Sequence, residues 1–337
     1  MKKILISDPT LRDGNHAVRH QLQKHQVAIY AAAADAAGIP IVEVGHGNGL
    51  GASSLQVGES SLGDAEFLRV AKENLPTSKL GIHVIPGFAT IKKDLQQALG
   101  MGVDVVRVAS HCTEADTTQR HISYVRERGK EVFGVLMMSH MASKEELAEE
   151  AVKMESYGAE AVIIMDSAGA YLPADVTERI GILVASLTIP VGLHGHNNLG
   201  MAIANSVAAV EAGASIIDGT ARGFGAGAGN TQLEVLIAVF DKMGFETGVD
   251  LYQVLDAADI AERELMKNIP SIKSLSVVSG VAGVFSGFAK HVERVAGEYD
   301  LDPRDIFFEL GRRKAVAGQE DMIIEVALNL KAGVRAA

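Results

Sequence analysis

Eight short, almost uninterrupted apolar runs recur along the first 220 residues of this 337-residue chain, each followed by a longer amphipathic stretch. They read as strands over 3–7, 41–45, 80–85, 103–109, 132–138, 161–165, 190–194 and 214–218. A strand that is apolar on both faces must be covered on both, which is the situation of a parallel strand flanked by helices. Helical patterns fill the intervals, among them 143–157 and 198–212. The first opens on Ser143 with Glu146 three residues on, the pair that caps a helix reciprocally. Eight strand–helix units in series predict an α/β fold of the (β/α)8 TIM-barrel type. An open doubly wound sheet would gather its polar groups at one switch point instead. Here Asp13, His46, His111, His140, Asp166, His194, His196 and Asp218 stand at or just after many strand ends, the C-terminal rim of a barrel.

The alternation stops after a helical pattern at 251–268, and from 263 onward only helices follow. The clearest are 303–313, opened by Pro303, and 319–331. The organisation predicted is a barrel over 1–262 and a helical C-terminal domain over 263–337, packed together without a low-complexity linker. With 47% hydrophobic residues the chain can fill a large core. A net charge of −11 argues against nucleic acid and anionic membrane as partners, since neither is drawn to a negative surface. One cysteine, Cys112, leaves no disulfide framework and no cysteine-rich zinc module. The N-terminal apolar run ends at Ser7 and Asp8, too short for a signal peptide, and no run is long enough to span a bilayer. The expectation is a protein of the cytoplasm.

His194-Gly195-His196 closes the seventh strand, and strand periodicity turns both imidazoles to one side. Such a pair is either two hydrogen-bonded histidines or part of a metal site. Asp13, just past the first strand, favours the metal, because closure of a barrel brings strand one near strand seven. Two His and one Asp leave coordination positions for substrate and water, and nitrogen and oxygen donors without thiolate suit Mn²⁺ or Mg²⁺. Arg12, beside the candidate ligand, is placed to offset a developing anion. His16, near the metal set but outside it, is a candidate general base. Glu43, a carboxylate inside an apolar strand, needs a partner, and Arg12 is the one expected.

The glycine-rich stretch 223–230 is either a phosphate cradle or a tight loop supporting the rim, and the second is favoured because the G-x-G-x-x-G spacing is absent. Cys112 behind His111 reads as an inert thiol rather than a nucleophile. His83, in mid-strand, reads as a satisfied core histidine; His20, His25 and His121 read as surface.

Four strings together carry a resemblance: TLRDGNHAVRH (10–20), MDSAGAY (165–171), GLHGHNNLG (192–200) and RGFGAGAGN (222–230), with AGQEDMIIEVALNL (317–330) in the tail. They resemble the 4-hydroxy-2-oxovalerate aldolases, which belong to the HMG-CoA-lyase-like metal-dependent barrels, and the likeness spans essentially the whole chain. The RDG and H-x-H elements are shared with the wider superfamily; RDGNHAVRH and the tail point to the aldolase branch. The resemblance implies a class II, pyruvate-specific aldolase that cleaves 4-hydroxy-2-oxopentanoate to pyruvate and acetaldehyde in the catabolism of aromatic compounds. By position it makes Asp13, His194 and His196 the metal ligands, Arg12 the group that stabilises the pyruvate enolate, and His16 the base at the C4 hydroxyl. Ser167 matches a residue near the substrate carboxylate.

The likeness departs at Phe285. The family carries a tyrosine in a VYSSF-like string that hydrogen-bonds at the active-site mouth, whereas here the string is Val284-Phe285-Ser286-Gly287-Phe288. The ring remains without its hydroxyl, which implies relaxed control of the C4 configuration. The resemblance also implies an acylating acetaldehyde dehydrogenase as partner, receiving aldehyde through a channel that uses the helical extension. Ala317 and Gly318 fall in the channel-side stretch, with Ala317 where a glycine is usual. The alternatives are a Claisen-type acyl-CoA lyase or synthase on the same barrel, distinguished by CoA dependence, and a non-catalytic scaffold for a dehydrogenase.

Overall fold

The computed structural model describes residues 2–316 and 318–333. Ala317 lies outside them. Eight parallel strands close into a barrel in sequence order: β1 Leu5–Leu11, β2 Ile41–Val44, β3 Lys79–Val84, β4 Val105–His111, β5 Glu131–Met137, β6 Ala161–Asp166, β7 Val191–Gly195 and β8 Ile216–Asp218. β8 pairs back onto β1, Leu5 with Ile216 and Ser7 with Asp218, so no edge strand is left open.

Two apolar layers follow from the period of two along each strand. Ile6, Val42, Ile82, Val106, Val162 and Leu193 face outward, into the shell of helices. Ile41, Val105, Phe133, Ala161, Ile163 and Ile216 face the lumen and fill its floor. The alternation therefore also assigns Ser7, Glu43, His83, Arg107, His194 and Asp218 to the lumen, two residues on from the inward positions Leu5, Ile41, Gly81, Val105, Gly192 and Ile216.

β1 runs past the end expected for it. Asp8 and Pro9 signal a break in the sequence, yet the strand continues to Leu11. The Asp8 carboxylate is satisfied locally, accepting from Thr10 N–H at 2.8 Å and from the Tyr30 hydroxyl at 2.7 Å. Pro9 sits where the register with β2 shifts, a position that makes no demand for its missing N–H. This extension carries Arg12 and Asp13 up to the rim.

Ser143 caps the helix Lys144–Ser156, with Glu146 reciprocating. Beyond the helix Leu251–Glu264 come the helices Ser274–Ala282, Ala289–Tyr299, Pro303–Arg312 and Asp321–Lys331. They share a separate apolar core that includes Val284, Phe288, Val292, Phe307, Leu310 and Ile323. Gly318 has open space where a side chain would be. Among the described residues, no helix is long and apolar enough to cross a membrane.

Candidate active site

The lumen above the apolar floor holds a continuous line of buried charge. Arg12 Nε donates to Glu43 Oε1 at 2.5 Å, and Glu43 Oε2 lies 3.4 Å from Arg107 Nη1. Arg107 Nη2 meets Asp218 Oδ2 at 2.6 Å, and the same oxygen is 2.8 Å from His194 Nδ1. Arg12 Nη1 closes the line by donating to Asp13 at 2.8 Å. Burial alone would raise the Glu43 carboxyl, but Arg12 and Arg107 outweigh it and hold Glu43 down at about 2. The expected partner of Glu43 is thus Arg12, with Arg107 on its other side.

Asp13, His194 and His196 each turn a ligand atom into a common space, all within 4.8 Å of one another. The donor set fits a divalent cation on the structure's own terms. With His194 Nδ1 engaged by Asp218, its Nε2 is left buried and without a hydrogen-bond partner among the described residues, and His196 Nδ1 is equally unpartnered. A carboxylate on the far nitrogen of a histidine is the usual device for orienting a metal ligand. Burial holds the His196 imidazole down at about 3, so a lone pair is available near neutral pH. For Asp13, burial pushes upward but Arg12 and the surrounding imidazoles prevail, keeping the carboxyl well below the usual range. In the immediate lumen two guanidiniums, Arg12 and Arg107, face three carboxylates, Asp13, Glu43 and Asp218. The imbalance favours a cation.

His16 lies on the helical turn Gly14–Ala17 that follows Asp13. Burial lowers its imidazole to about 4, against the pull of Asp13. Its ring stands edge-on to His20, centroids 5.1 Å apart, and His20 stacks on His46 at 3.7 Å. His20 is therefore buried beside the site rather than on the surface, a correction to the reading from sequence. A polar loop residue hides there because the ring slots between two other histidines. His83 is buried in the core as expected, facing the lumen next to its register partner Arg107, but its Nδ1 finds no partner among the described residues. His121 is partly buried, with Nε2 on the Ala89 carbonyl at 3.0 Å, while His25 is exposed.

Ser167, on the loop after β6, accepts from Met138 N–H at 2.9 Å. Cys112 is buried, donates to the Met138 carbonyl at 3.3 Å, and burial pushes its thiol up to about 12, far from nucleophilic range. Phe285 lies in the extension, half-buried and edge-on to Phe288 at 6.1 Å between centroids. The glycine-rich loop 223–230 delivers Asn230, whose amide donates to Asp13 Oδ2. Arg107, Asp218 as the partner of His194, and Asn230 are what the sequence reading missed. Arg107 carried a signal, a cation in an otherwise apolar strand, of the same kind that marked Glu43.

The HMGL-like family matches residues 3–261, and a DmpG-like communication domain matches residues 270–332. A 4-hydroxy-2-oxovalerate aldolase of Pectobacterium atrosepticum is 67% identical over 98% of this chain and 96% of its own length. That of Spirochaeta aurantia is 65% identical over 97% of this chain and 96% of its own, and that of Streptomyces tendae 59% over 98% and 92%. Among solved structures, the carboxyltransferase domain of Rhizobium etli pyruvate carboxylase with pyruvate and biocytin superposes with a TM-score of 0.82 at 16% identity. It covers 99% of this chain, which spans 62% of that one, and the likeness shows the fold alone.

Replacing Glu43 with Ala would leave two buried guanidiniums without their shared carboxylate. A loss of about 3–5 kcal/mol is expected, the cost typical of breaking a buried ion pair from one side, read as a lowered urea midpoint at neutral pH. The sign of the pH dependence is fixed by the depressed carboxyl. The Glu43 contribution is complete above its ordinary value of 4.5 and is lost as pH falls toward about 2. The gap between wild type and variant should therefore narrow in acid. Equal midpoints at pH 7 would show that the network carries no stability.

Proposed function

Since the chain belongs to the 4-hydroxy-2-oxovalerate aldolase family, within the HMGL-like barrels, we propose that it cleaves 4-hydroxy-2-oxopentanoate, and related 4-hydroxy-2-oxo acids, to pyruvate and an aldehyde. It is a carbon–carbon lyase. The observation that carries the reading is the convergence of Asp13, His194 and His196 on one space directly beside Arg12. These three residues would hold a divalent cation, and the oxygen and nitrogen donors suit Mn²⁺ or Mg²⁺. When bound, the cation supplies Lewis acidity to the carboxylate and keto oxygens of a 2-oxo acid.

The rest of the chemistry belongs to side chains. His16, held unprotonated near neutral pH by burial, takes the proton from the C4 hydroxyl as the C3–C4 bond breaks. The bonding pair passes to C3 and onto the C2 oxygen, the C4 oxygen becomes the aldehyde carbonyl, and a proton from solvent at C3 converts the enolate to pyruvate while His16 returns its proton to solvent. Arg12, fixed on one side by Glu43 and on the other by Asp13, offsets the charge that develops on the three-carbon fragment. Because the guanidinium is already oriented, little reorganisation is needed when the charge appears. Ser167 is read as a contact of the substrate carboxylate, and the helical extension over 263–337 as a docking and channel module for an acylating acetaldehyde dehydrogenase.

A coupled pyruvate assay on 4-hydroxy-2-oxopentanoate tests the core of this. Chelated protein should be silent, Mn²⁺ or Mg²⁺ should restore turnover, and His194→Ala should abolish it. Metal-independent pyruvate release would overturn the reading. With Phe285 lacking a hydroxyl, both C4 enantiomers should be turned over at comparable kcat/KM; strong preference for one would sink that expectation. Co-expression with an acylating acetaldehyde dehydrogenase should shift the protein to an earlier position in size-exclusion chromatography, and an unmoved peak would count against the docking role.

A further inference from the structure

The two histidines of the candidate metal set are not held alike. His194 is fixed through its Nδ1 by Asp218, whereas neither ring nitrogen of His196 has a hydrogen-bond partner among the described residues. The His196 ring must therefore be aimed by the backbone that carries it. On one side that backbone is tied to the loop after β8: Asn197 N–H donates to the Gly229 carbonyl at 2.8 Å, and Thr231 N–H to the Gly195 carbonyl at 3.0 Å. On the other side Asn197 Oδ1 accepts from Ala202 N–H at 3.2 Å, and the tie toward the helical extension is the side chain of Asn198.

Asn198 is fully buried, and its amide reaches into the helical extension. Nδ2 lies 2.8 Å from Ser286 Oγ, 3.2 Å from the Ser276 carbonyl and 3.4 Å from Ser279 Oγ. The Ser276 carbonyl can only accept, which settles that the amino end of the amide faces the extension. The contact is close enough to exclude side chains around it. A Cβ on Gly280 would come within 2.9 Å of Leu199 and 3.2 Å of Asn198 Cβ, and one on Gly227 within 2.5 Å of Ser286 Cβ. A second tie, from His140 Nε2 to the Gly283 carbonyl at 2.9 Å, holds the same stretch on the loop after β5. The joint thus meets the barrel two residues past a candidate ligand and the extension one residue past Phe285.

We propose that Asn198 is a positioning residue for His196, and that through it the packing of the stretch 276–286 on the rim sets the affinity of the site for its divalent cation. The proposal rests on the reading of Asp13, His194 and His196 as the ligands. A displacement of the helix Ser274–Ala282, such as a docked partner could impose, then reaches the metal by way of one amide and a two-residue link.

The test uses Mn²⁺ binding to the full chain, followed by the paramagnetic resonance of free Mn²⁺, with amide hydrogen exchange of residues 274–288 alongside. Asn198→Ala should weaken binding about tenfold, the lower range for loss of an outer-sphere support. Ser286→Ala should weaken it in the same direction by less, and the double variant should be no worse than Asn198→Ala, since both remove one link. Turnover of the Asn198 variant should recover as Mn²⁺ is raised, which a general loss of structure would not permit. Unchanged Mn²⁺ affinity together with faster exchange in 274–288 would overturn the coupling, and Ser286→Ala alone decides it if Asn198→Ala does not fold. Failure of the wild-type chain to bind Mn²⁺ would overturn the ligand assignment, and this proposal with it.

Discussion

The line of buried charge from Arg12 through Glu43, Arg107 and Asp218 to His194 is the constraint on which the upper half of the barrel depends. Each member is a charge or dipole removed from water, and none is tolerable there alone. Together they convert a costly set of groups into one in which every neighbour dictates the position of the next. Glu43 cannot move without releasing two guanidiniums, and Asp218 cannot move without releasing both Arg107 and the far nitrogen of His194. A group at one end that is asked to meet a new charge is already braced from the other.

Barrel closure makes this line possible. Arg12 follows β1, Glu43 is in β2, Arg107 in β4, and Asp218 ends β8, so the members come from strands around much of the circumference. The apolar floor of Ile41, Val105, Phe133 and Ile163 lies beneath them and keeps water out from below. The loops after β7 and β8 then fold over the candidate ligands, with Asn230 on Asp13 and the Asn197 amide on Gly229. The glycine-rich segment, which the sequence favours as a tight loop supporting the rim over a phosphate cradle, thereby acts as a brace for a carboxylate.

Much of this was legible in the sequence, and the limits have a physical cause. Eight apolar runs announced eight strands, because burial on both faces leaves no room for polar alternation. Boundaries are harder: the apolar run of β1 ends at Ser7 and Asp8, while the structure satisfies Asp8 through Tyr30, a partner 22 residues away, and the strand continues. Glu43 could be matched with Arg12 because a lone carboxylate in an apolar strand demands a cation. Arg107 makes the mirror-image demand and went unread, although its carboxylates in β2 and β8 answer it. The burial of His20 and the unpartnered nitrogen of His83, a histidine legible as core, escape the sequence for a related reason. Which way a histidine faces, and what its second nitrogen finds, depends on the pairing of distant strands and loops rather than on the residues beside it.

The same distinction between local and global governs charge. A net charge of −11 repels a 2-oxo acid at a distance, and screening confines that field to the outer surface at physiological salt. Inside the rim the count is different: two guanidiniums against three carboxylates leave the lumen short of positive charge, and one divalent cation would reverse the balance. That shortfall favours a cation over an anion in the lumen. Until the cation is in place the carboxylate of the substrate would have Arg12 alone to attract it, so binding of either would favour the other. Whatever tightens the metal set, including the fit of the helical extension against Asn198, then strengthens the capture of substrate without touching it.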